Sequence, residues 1–380
     1  MRGSNDLVRT FLAGDVMTGR GIDQILPHPV DPRIHEPWIQ DARTYVRLAE
    51  QANGPVPAPV APDYIWGDAL IELERRSPHV RIVNLETSVT QSDDYWPKGI
   101  NYRMHPENVA CLTAARLDVC TLANNHVLDY GRTGLVETLA TLRDAGLRTA
   151  GAGADLDEAR RPAVVEFPGG RLAVLALGAA SSGIPAAWAA TVDTPGVDFL
   201  PDLSDAVADA VAARVRRARD TGALVLVSIH WGSNWGYAIE PDQVRFAHRM
   251  VDAGADVVCG HSSHHPRPLE VYRRRLVLYG CGDLINDYEG VGGHQEFRSD
   301  LRLMYFATLH ARTGELVALE MVPLLARRMR LVRATAADAA WIAGTLSGPF
   351  DAEVAATPEG VLQLRSAGPW KSAGNPAVAS

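Results

Sequence analysis

The chain has 380 residues, 47% of them hydrophobic, which is enough apolar material for a core and excludes a chain that stays disordered. Its 37 Lys and Arg against 45 Asp and Glu give a formal charge of −8 with no block of like charges, which excludes a protein that coats nucleic acid. The longest apolar stretches, such as Leu172–Ala180 and Leu224–Ile229, fall far short of the roughly 20 residues that span a bilayer, so no membrane span is expected.

In chain order, a strand-like run at Leu7–Ala13 ends at Gly14-Asp15. Residues 26–63 are rich in proline and read as an ordered, irregular insertion with one helix near Asp41–Gln51, placed like a lid over a site. On it, His28, His35, Glu36 and Trp38 either face a substrate or make ordinary surface contacts. Helical periodicity at Asp68–Arg76 precedes a strand at Val80–Val83, which runs into Asn84-Leu85-Glu86. A helix at Pro106–Ala115 leads to a strand at Val119–Ala123 and the cluster Asn124-Asn125-His126, followed by a helix at Thr133–Ala145. Gly151-Ala152-Gly153 lacks the third glycine of a dinucleotide fingerprint, since Leu156 stands there, and reads as a plain loop.

Further strands are expected at Leu172–Leu177 and Leu224–Ile229, the latter ending at His230, with helices at Ser204–Asp220 and Pro241–Ala253. Asp256–Cys259 runs into Gly260-His261, and Arg275–Tyr279 into Gly280-Cys281-Gly282-Asp283. Leu301–Thr308 and Leu316–Leu324 read as an antiparallel hairpin, followed by a helix at Ala336–Leu346 and a short strand at Gly360–Leu364. The alternation of strands and helices argues an α/β fold in one domain over residues 7–366, with 367–380 as a flexible tail. Four cysteines without C-x-x-C pairing and an amino terminus without an apolar leader lead us to expect a cytoplasmic protein, or one whose export or anchor segment is absent from this chain.

Polar residues gather where strands end. In an open α/β sheet the carboxyl ends of the strands converge on one crevice, so Asp15, Glu86, Asn125 with His126, His230 and His261 are expected to share one volume. Three histidines, His261, His264 and His265, stand within five positions after a buried run. This mixed nitrogen and oxygen set suits one or two divalent transition-metal ions, Mn, Fe or Zn, better than Ca or Mg. Lys98, Asn101 and Arg103 either clamp a carboxylate or phosphate or form a solvated loop, and Arg267 and Arg132 carry the same two readings. No P-loop and no G-x-S-x-G elbow is present.

Gly14-Asp-Val-Met17, Asn84-Leu-Glu86, Ala123-Asn-Asn-His-Val-Leu-Asp-Tyr-Gly131, His230-Trp-Gly232 and Gly260-His-Ser-Ser-His-His-Pro266 together resemble the CapA/PgsA family of poly-γ-glutamate capsule synthesis. In the same order they are similar to the calcineurin-like metallophosphoesterases, over roughly Val8 to Leu324. The resemblance implies a four-layer α/β/β/α sandwich. It implies Asp15, Glu86, Asn125, His230 and His261 as metal ligands, with His264 or His265 completing the set. His126 would protonate a leaving group, oriented by Asp129, with His265 the other candidate for that proton. Met17 stands where the superfamily has a ligating histidine, so two metal positions would bind unequally.

The implied function is a metal-dependent enzyme that hydrolyses or otherwise processes an amide- or phosphate-linked, carboxylate-rich substrate of γ-glutamyl type. The alternative is a non-catalytic metal-binding subunit that works with biosynthetic partner proteins.

Overall fold

The computed structural model describes residues 6–365, so the tail expected at 367–380 lies outside the described residues. The chain begins one sheet, builds a second, then returns to complete the first. The opening part contains β1 (Leu7–Val16), α1 (Arg43–Asn53), α2 (Asp68–Arg76), β2 (Val80–Leu85), β3 (Val119–Thr121), α3 (Gly131–Asp144) and β4 (Arg148–Ala150). The second sheet arises from β5 (Ala163–Phe167), β6 (Gly170–Ala179), β7 (Phe199–Leu200), β8 (Leu224–His230), β9 (Val257–His261), β10 (Leu269–Tyr272) and β11 (Arg275–Leu278). Two helices accompany it, α4 (Asp205–Asp220) before β8 and α5 (Pro241–Asp252) after it. The return comprises β12 (Asp283–Ile285), β13 (Leu301–His310), β14 (Leu316–Arg327), β15 (Arg330–Arg333), α6 (Ala336–Leu346), β16 (Glu353–Ala356) and β17 (Leu362–Arg365).

The first sheet runs β16-β17-β14-β13-β1-β2-β3-β4, with β12 beside β1 and β15 beside β14. Strands β1 to β4 are mutually parallel, and the late hairpin β13–β14 is antiparallel as its pattern predicts. The second sheet runs β7-β6-β8-β9-β11-β10, with β5 antiparallel to β6. Its central strands β6, β8, β9 and β11 are all parallel. The fold is therefore mixed α/β, and the polar strand ends come from two sheets rather than from one open sheet.

Side-chain alternation explains why there are two. Along β6 and β8, Leu172, Val174, Ala176, Leu224 and Leu226 enter a core shared with the first sheet. Their neighbours Ala173, Leu175, Val225 and Val227 pack instead on Val211 and Val215 of α4 and on Phe246 and Met250 of α5. A parallel sheet covered on both faces reads as an unbroken apolar run, and the alternation between its two partners is invisible in such a run. The Ser228 hydroxyl of β8 donates to Thr121 Oγ1 of β3 at 3.3 Å, a bond that crosses between the sheets.

Two local readings change. Pro106–Ala115 is a 3₁₀ turn over Pro106–Val109 and one helical turn over Ala110–Thr113, not a continuous helix. The supposed loop at Gly151–Gly153 carries a two-residue strand, Ala152–Gly153, antiparallel to Gly196–Val197. Both pieces are too short to print a period on the sequence.

The proline-rich insertion is fastened down by one buried cation. Arg20 is 3% exposed and reaches Asp287 through two bonds of 3.0 and 2.5 Å, Glu36 at 2.6 Å and the Tyr45 hydroxyl at 2.9 Å. Its guanidinium lies over the rings of Tyr45 and Tyr102, at 3.7 and 4.5 Å from their centroids. Glu36 is thus an internal anchor, His28 pairs with Glu107, His35 stacks on Tyr95, and Trp38 is almost fully exposed. None of residues 26–63 lines the metal cavity described below, whereas Ala52 and Asn53 line a second cavity.

Candidate metal centre

The ends of β1, β2 and β8 meet. One ligand atom each from Asp15, Glu86 and His230 lie within 4.8 Å of one another, and all three residues are buried. Gly14 permits this approach: a Cβ there would stand 1.6 Å from the Gly282 carbonyl oxygen, so β1 could not come alongside β12. The Asp15 amide donates to that carbonyl at 3.0 Å, which puts Asp15 in register with Asp283.

Asp15 is held from three sides. Asn84 Nδ2 donates to its Oδ1 at 2.7 Å, the Ser262 amide donates to Oδ2 at 3.2 Å, and His261 Nδ1 lies 3.4 Å from Oδ1. Burial works against ionisation of Asp15, but His261, His230 and Asn84 outweigh it and hold the carboxyl below the usual carboxylate range. Glu86 goes the other way: burial first, then the charges of Asp15 and Asp283, push it far above its ordinary value. Two carboxylates in one dry volume do not both ionise without a cation.

Two imidazoles converge on Glu86. Nε2 of His230 and Nε2 of His126 each stand 3.8 Å from Glu86 Oε1. His230 Nε2, Glu86 Oε2 and Asn125 Oδ1 are buried and have no hydrogen-bond partner among the described residues. Orphaned polar atoms of this kind are costly unless something binds them. Donor atoms held at about 2.0–2.3 Å from one ion stand within about 4.6 Å of each other; His230 Nε2 and Glu86 Oε1, 3.8 Å apart, meet that limit, and Asp15 lies within 4.8 Å of both. Asp15, Glu86 and His230 are the residues that would hold such an ion, with Asn125 opening on the same cavity.

That cavity, about 290 Å³, is lined among others by Glu86, Lys98, Asn125, His126, His230 and His264. His126 Nδ1 is 2.6 Å from Asp129 Oδ2, and Lys98 Nζ pairs with Asp129 Oδ1 at 2.7 Å. Lys98 also donates to the Asn125 carbonyl. The Tyr102 amide donates to Asp129 at 2.6 Å. Burial pushes His126 down to about 4, against the pull of Asp129. The ring is therefore neutral at pH 7, with Nδ1–H on Asp129 and the Nε2 lone pair turned towards Glu86.

The remaining candidates separate. His261 backs Asp15 rather than joining the three-residue cluster. His264 lines the cavity but holds Asp283 through Nδ1 at 3.1 Å and meets Asn234 Nδ2 through Nε2 at 3.2 Å. His265 has spent both ring nitrogens: Nε2 accepts from the Gly236 amide at 3.1 Å and Nδ1 donates to the Pro266 carbonyl at 3.1 Å. It stands outside the cavity lining, which leaves it no lone pair for catalysis or for a metal.

Of the expected clamp, Lys98 alone faces the cavity, and Asp129 already neutralises it. Arg103 binds the Ser92 carbonyl and Asp93, Asn101 binds the Trp96 and Asp129 carbonyls, and Arg267 binds Ser233. Arg132 caps the carbonyls of Pro195 and Ala187. Where the sequence left a substrate clamp and a solvated loop open, these four groups bond to local loops, and Asn101, Arg103 and Arg267 are buried there. Asn84, Asp283 and Tyr288 were missed. The pair Gly282-Asp283 repeats the Gly14-Asp15 pattern after an apolar run, and that repeat was the available signal.

His265 offers a test of its burial. Its ring titrates at about 4, pushed down first by desolvation, whereas in the unfolded chain it titrates near the ordinary histidine value of 6.5. As pH falls from 6.5 to 4 the unfolded chain gains a proton that the fold refuses, so stability drops by up to about 1.4 kcal/mol per pH unit from this residue. Denaturation midpoints of wild type and His265→Gln at pH 7 and pH 5 should show a shallower decline in the variant. Equal declines would mean that His265 is charged in the fold.

Comparison with known proteins places the chain in a family. Residues 9–288 match the profile of the bacterial capsule synthesis protein PGA_cap family. A probable polyglutamine synthesis accessory protein of Mycobacterium tuberculosis is 49% identical over 370 residues, 96% of this chain and 97% of that protein. The PGA biosynthesis protein CapA of Bacillus subtilis is 28% identical over 293 residues, 75% of this chain and 64% of that protein. The capsule biosynthesis protein CapA of Bacillus anthracis is 28% identical over 232 residues, 60% of this chain and 52% of that protein. Among solved structures, a hypothetical protein from Thermus thermophilus aligns with a TM-score of 0.43 at 14% identity, over 83% of this chain and 98% of that one. No helix among the described residues is long and apolar enough to cross a membrane. With most of its length matched by the profile and a near full-length relative at 49% identity, the chain belongs to the bacterial capsule synthesis protein PGA_cap family.

Proposed function

We propose that this chain is a metal-dependent enzyme that processes a γ-glutamyl-type, amide- or phosphate-linked substrate in a metallophosphoesterase-like sandwich. The observation that carries the reading is the buried Asp15–Glu86–His230 cluster, with its unsatisfied polar atoms, opening beside the His126–Asp129 pair. A divalent ion there supplies Lewis acidity towards an acyl or phosphoryl oxygen and lowers the pKa of water. The protein's own part is the proton. Neutral His126 takes one at Nε2, and Asp129, fixed by Lys98 and the Tyr102 amide, stabilises the imidazolium that results. His126 becomes a proton donor only after that first transfer, so the acid role implied by the family resemblance follows a base role.

The carboxylate-rich substrate class draws on the family resemblance and on the names of the relatives, which concern polyglutamine synthesis, PGA biosynthesis and capsule biosynthesis. The mycobacterial relative is named an accessory protein, and this favours a second reading, a non-catalytic subunit that assists partner enzymes. A purely structural metal has no use for the His126–Asp129 pair.

Elemental analysis of protein purified without chelator tests the proposal. One or two equivalents of Mn, Fe or Zn are expected, with unequal affinities if two. Protein that takes up none of these ions when they are offered would sink it.

A further inference from the structure

A second cavity of about 350 Å³ shares Tyr288 with the first as a lining residue. Its deepest charged group is Arg302, 1% exposed. Buried guanidinium groups are ordinarily paired with a carboxylate. Arg302 bonds only to neutral acceptors, the Ser299 and Leu301 carbonyls and Asn286 Oδ1, and its Nε–H is buried without a partner.

The carboxylates around it are committed elsewhere. Asp283 holds His264 and Asn286, Asp300 pairs with Arg298, and Glu289 accepts from Asn53 and from the Arg328 and Met329 amides. Arg298 and Arg327 complete a wall with three guanidinium groups against two carboxylates. The cavity is also wired to the metal centre. Arg302 Nη2 donates to Asn286 Oδ1 at 2.7 Å, Asn286 Nδ2 donates to Asp283 Oδ2 at 2.6 Å, and Asp283 Oδ1 lies 3.1 Å from Nδ1 of cavity-lining His264.

We propose that this cavity is an oxyanion site, in which Arg302 receives a carboxylate of the ligand whose reacting group occupies the metal cavity. The identity of that ligand rests on the γ-glutamyl reading above; the anion site itself rests on Arg302. An acidic chain passing Tyr288 would leave one side-chain carboxylate on Arg302 and the next linkage at the metal, which would supply the recognition that Arg103 and Arg267 do not.

Calorimetric binding to the full chain tests this, with a γ-linked glutamate pentapeptide as the polymer probe and acetate and inorganic phosphate as single-anion probes. The variants are Arg302→Gln and Ser299→Asp; the latter puts a carboxylate on the cavity wall beside Arg302 and needs no buried charge to be removed. Pentapeptide affinity should fall at least tenfold in both with metal content unchanged, and Ser299→Asp should melt higher than wild type. If Arg302→Gln does not fold, Ser299→Asp decides alone. Undiminished pentapeptide binding in Ser299→Asp, or no binding of any probe by wild type, overturns the site. Binding of acetate or phosphate that Ser299→Asp abolishes, without pentapeptide binding, upholds the anion site and overturns the γ-glutamyl reading.

Discussion

Glu86→Gln is expected to move stability in opposite directions with and without metal. In metal-free protein, Glu86 is crowded by burial and by the Asp15 and Asp283 charges, so its folded pKa lies above its unfolded value. The unfolded chain then releases that proton first, and wild-type stability falls as pH rises from about 4.5 towards the folded pKa. Glutamine has no charge to bury, so the metal-free variant should be the more stable protein above pH 5, by an amount that grows with pH. In metal-loaded protein the order reverses, because a ligating oxygen has lost its charge. Removing a group that merely orients a ligand costs 10–100-fold in metal affinity, and loss of Glu86 itself should cost at least about 100-fold. Thermal melts of both proteins with and without added Mn or Zn, at pH 5 and pH 8, give the answer. A variant that is less stable without metal and binds it as tightly as wild type would remove Glu86 from the centre.

His126→Gln should show the complementary pattern, with metal retained and turnover lost. The ring stands beside Glu86 without belonging to the Asp15–Glu86–His230 cluster, and its other nitrogen is fixed by Asp129. A positioned proton carrier contributes roughly 10²–10⁴-fold, so hydrolysis of a chromogenic phosphate ester or γ-glutamyl anilide should fall at least about 100-fold in kcat. Metal content is measured on the same samples. Loss of the ion would make His126 a ligand, full activity with metal in place would mean that another group carries the proton, and no activity in wild type would favour the accessory reading.

What the sequence disclosed depended on whether a feature was local. Helices Asp68–Arg76 and Ala336–Leu346 are bounded as their periodicity predicts, and polar groups at the ends of parallel strands do converge, because parallel strands send their carboxyl ends the same way. The division into two sheets, which the family resemblance implied, could not be read from the strand pattern itself, since β6 and β8 are apolar on both faces and nothing in such a run tells which face meets a sheet and which a helix. The fate of the cations was hidden for another reason. Arg103 is neutralised by Asp93 and Lys98 by Asp129, and whether a loop cation is free or already paired depends on side-chain reach, which spacing does not encode. Asp283 was legible in principle, as the second glycine–aspartate pair after a strand. It went unused because β12 is three residues long and prints no period.

The seam between the sheets also fixes when the centre can exist. Asp15 lies in β1 and Glu86 directly follows β2, both of the first sheet, while His230 ends a strand of the second, more than 200 residues after Asp15. Contacts of such long sequence separation form late, after the loop-closure entropy of the intervening chain has been met by other packing. An ion therefore finds no preassembled donor set on the nascent or collapsing chain and cannot act as a folding nucleus here, unlike in zinc fingers, where the metal organises a short segment. A metal bound there would act as a latch, closing on two sheets that hydrophobic burial has already brought together. Its contribution would then fall on the rate at which the finished sheets part and hardly on the rate at which they meet.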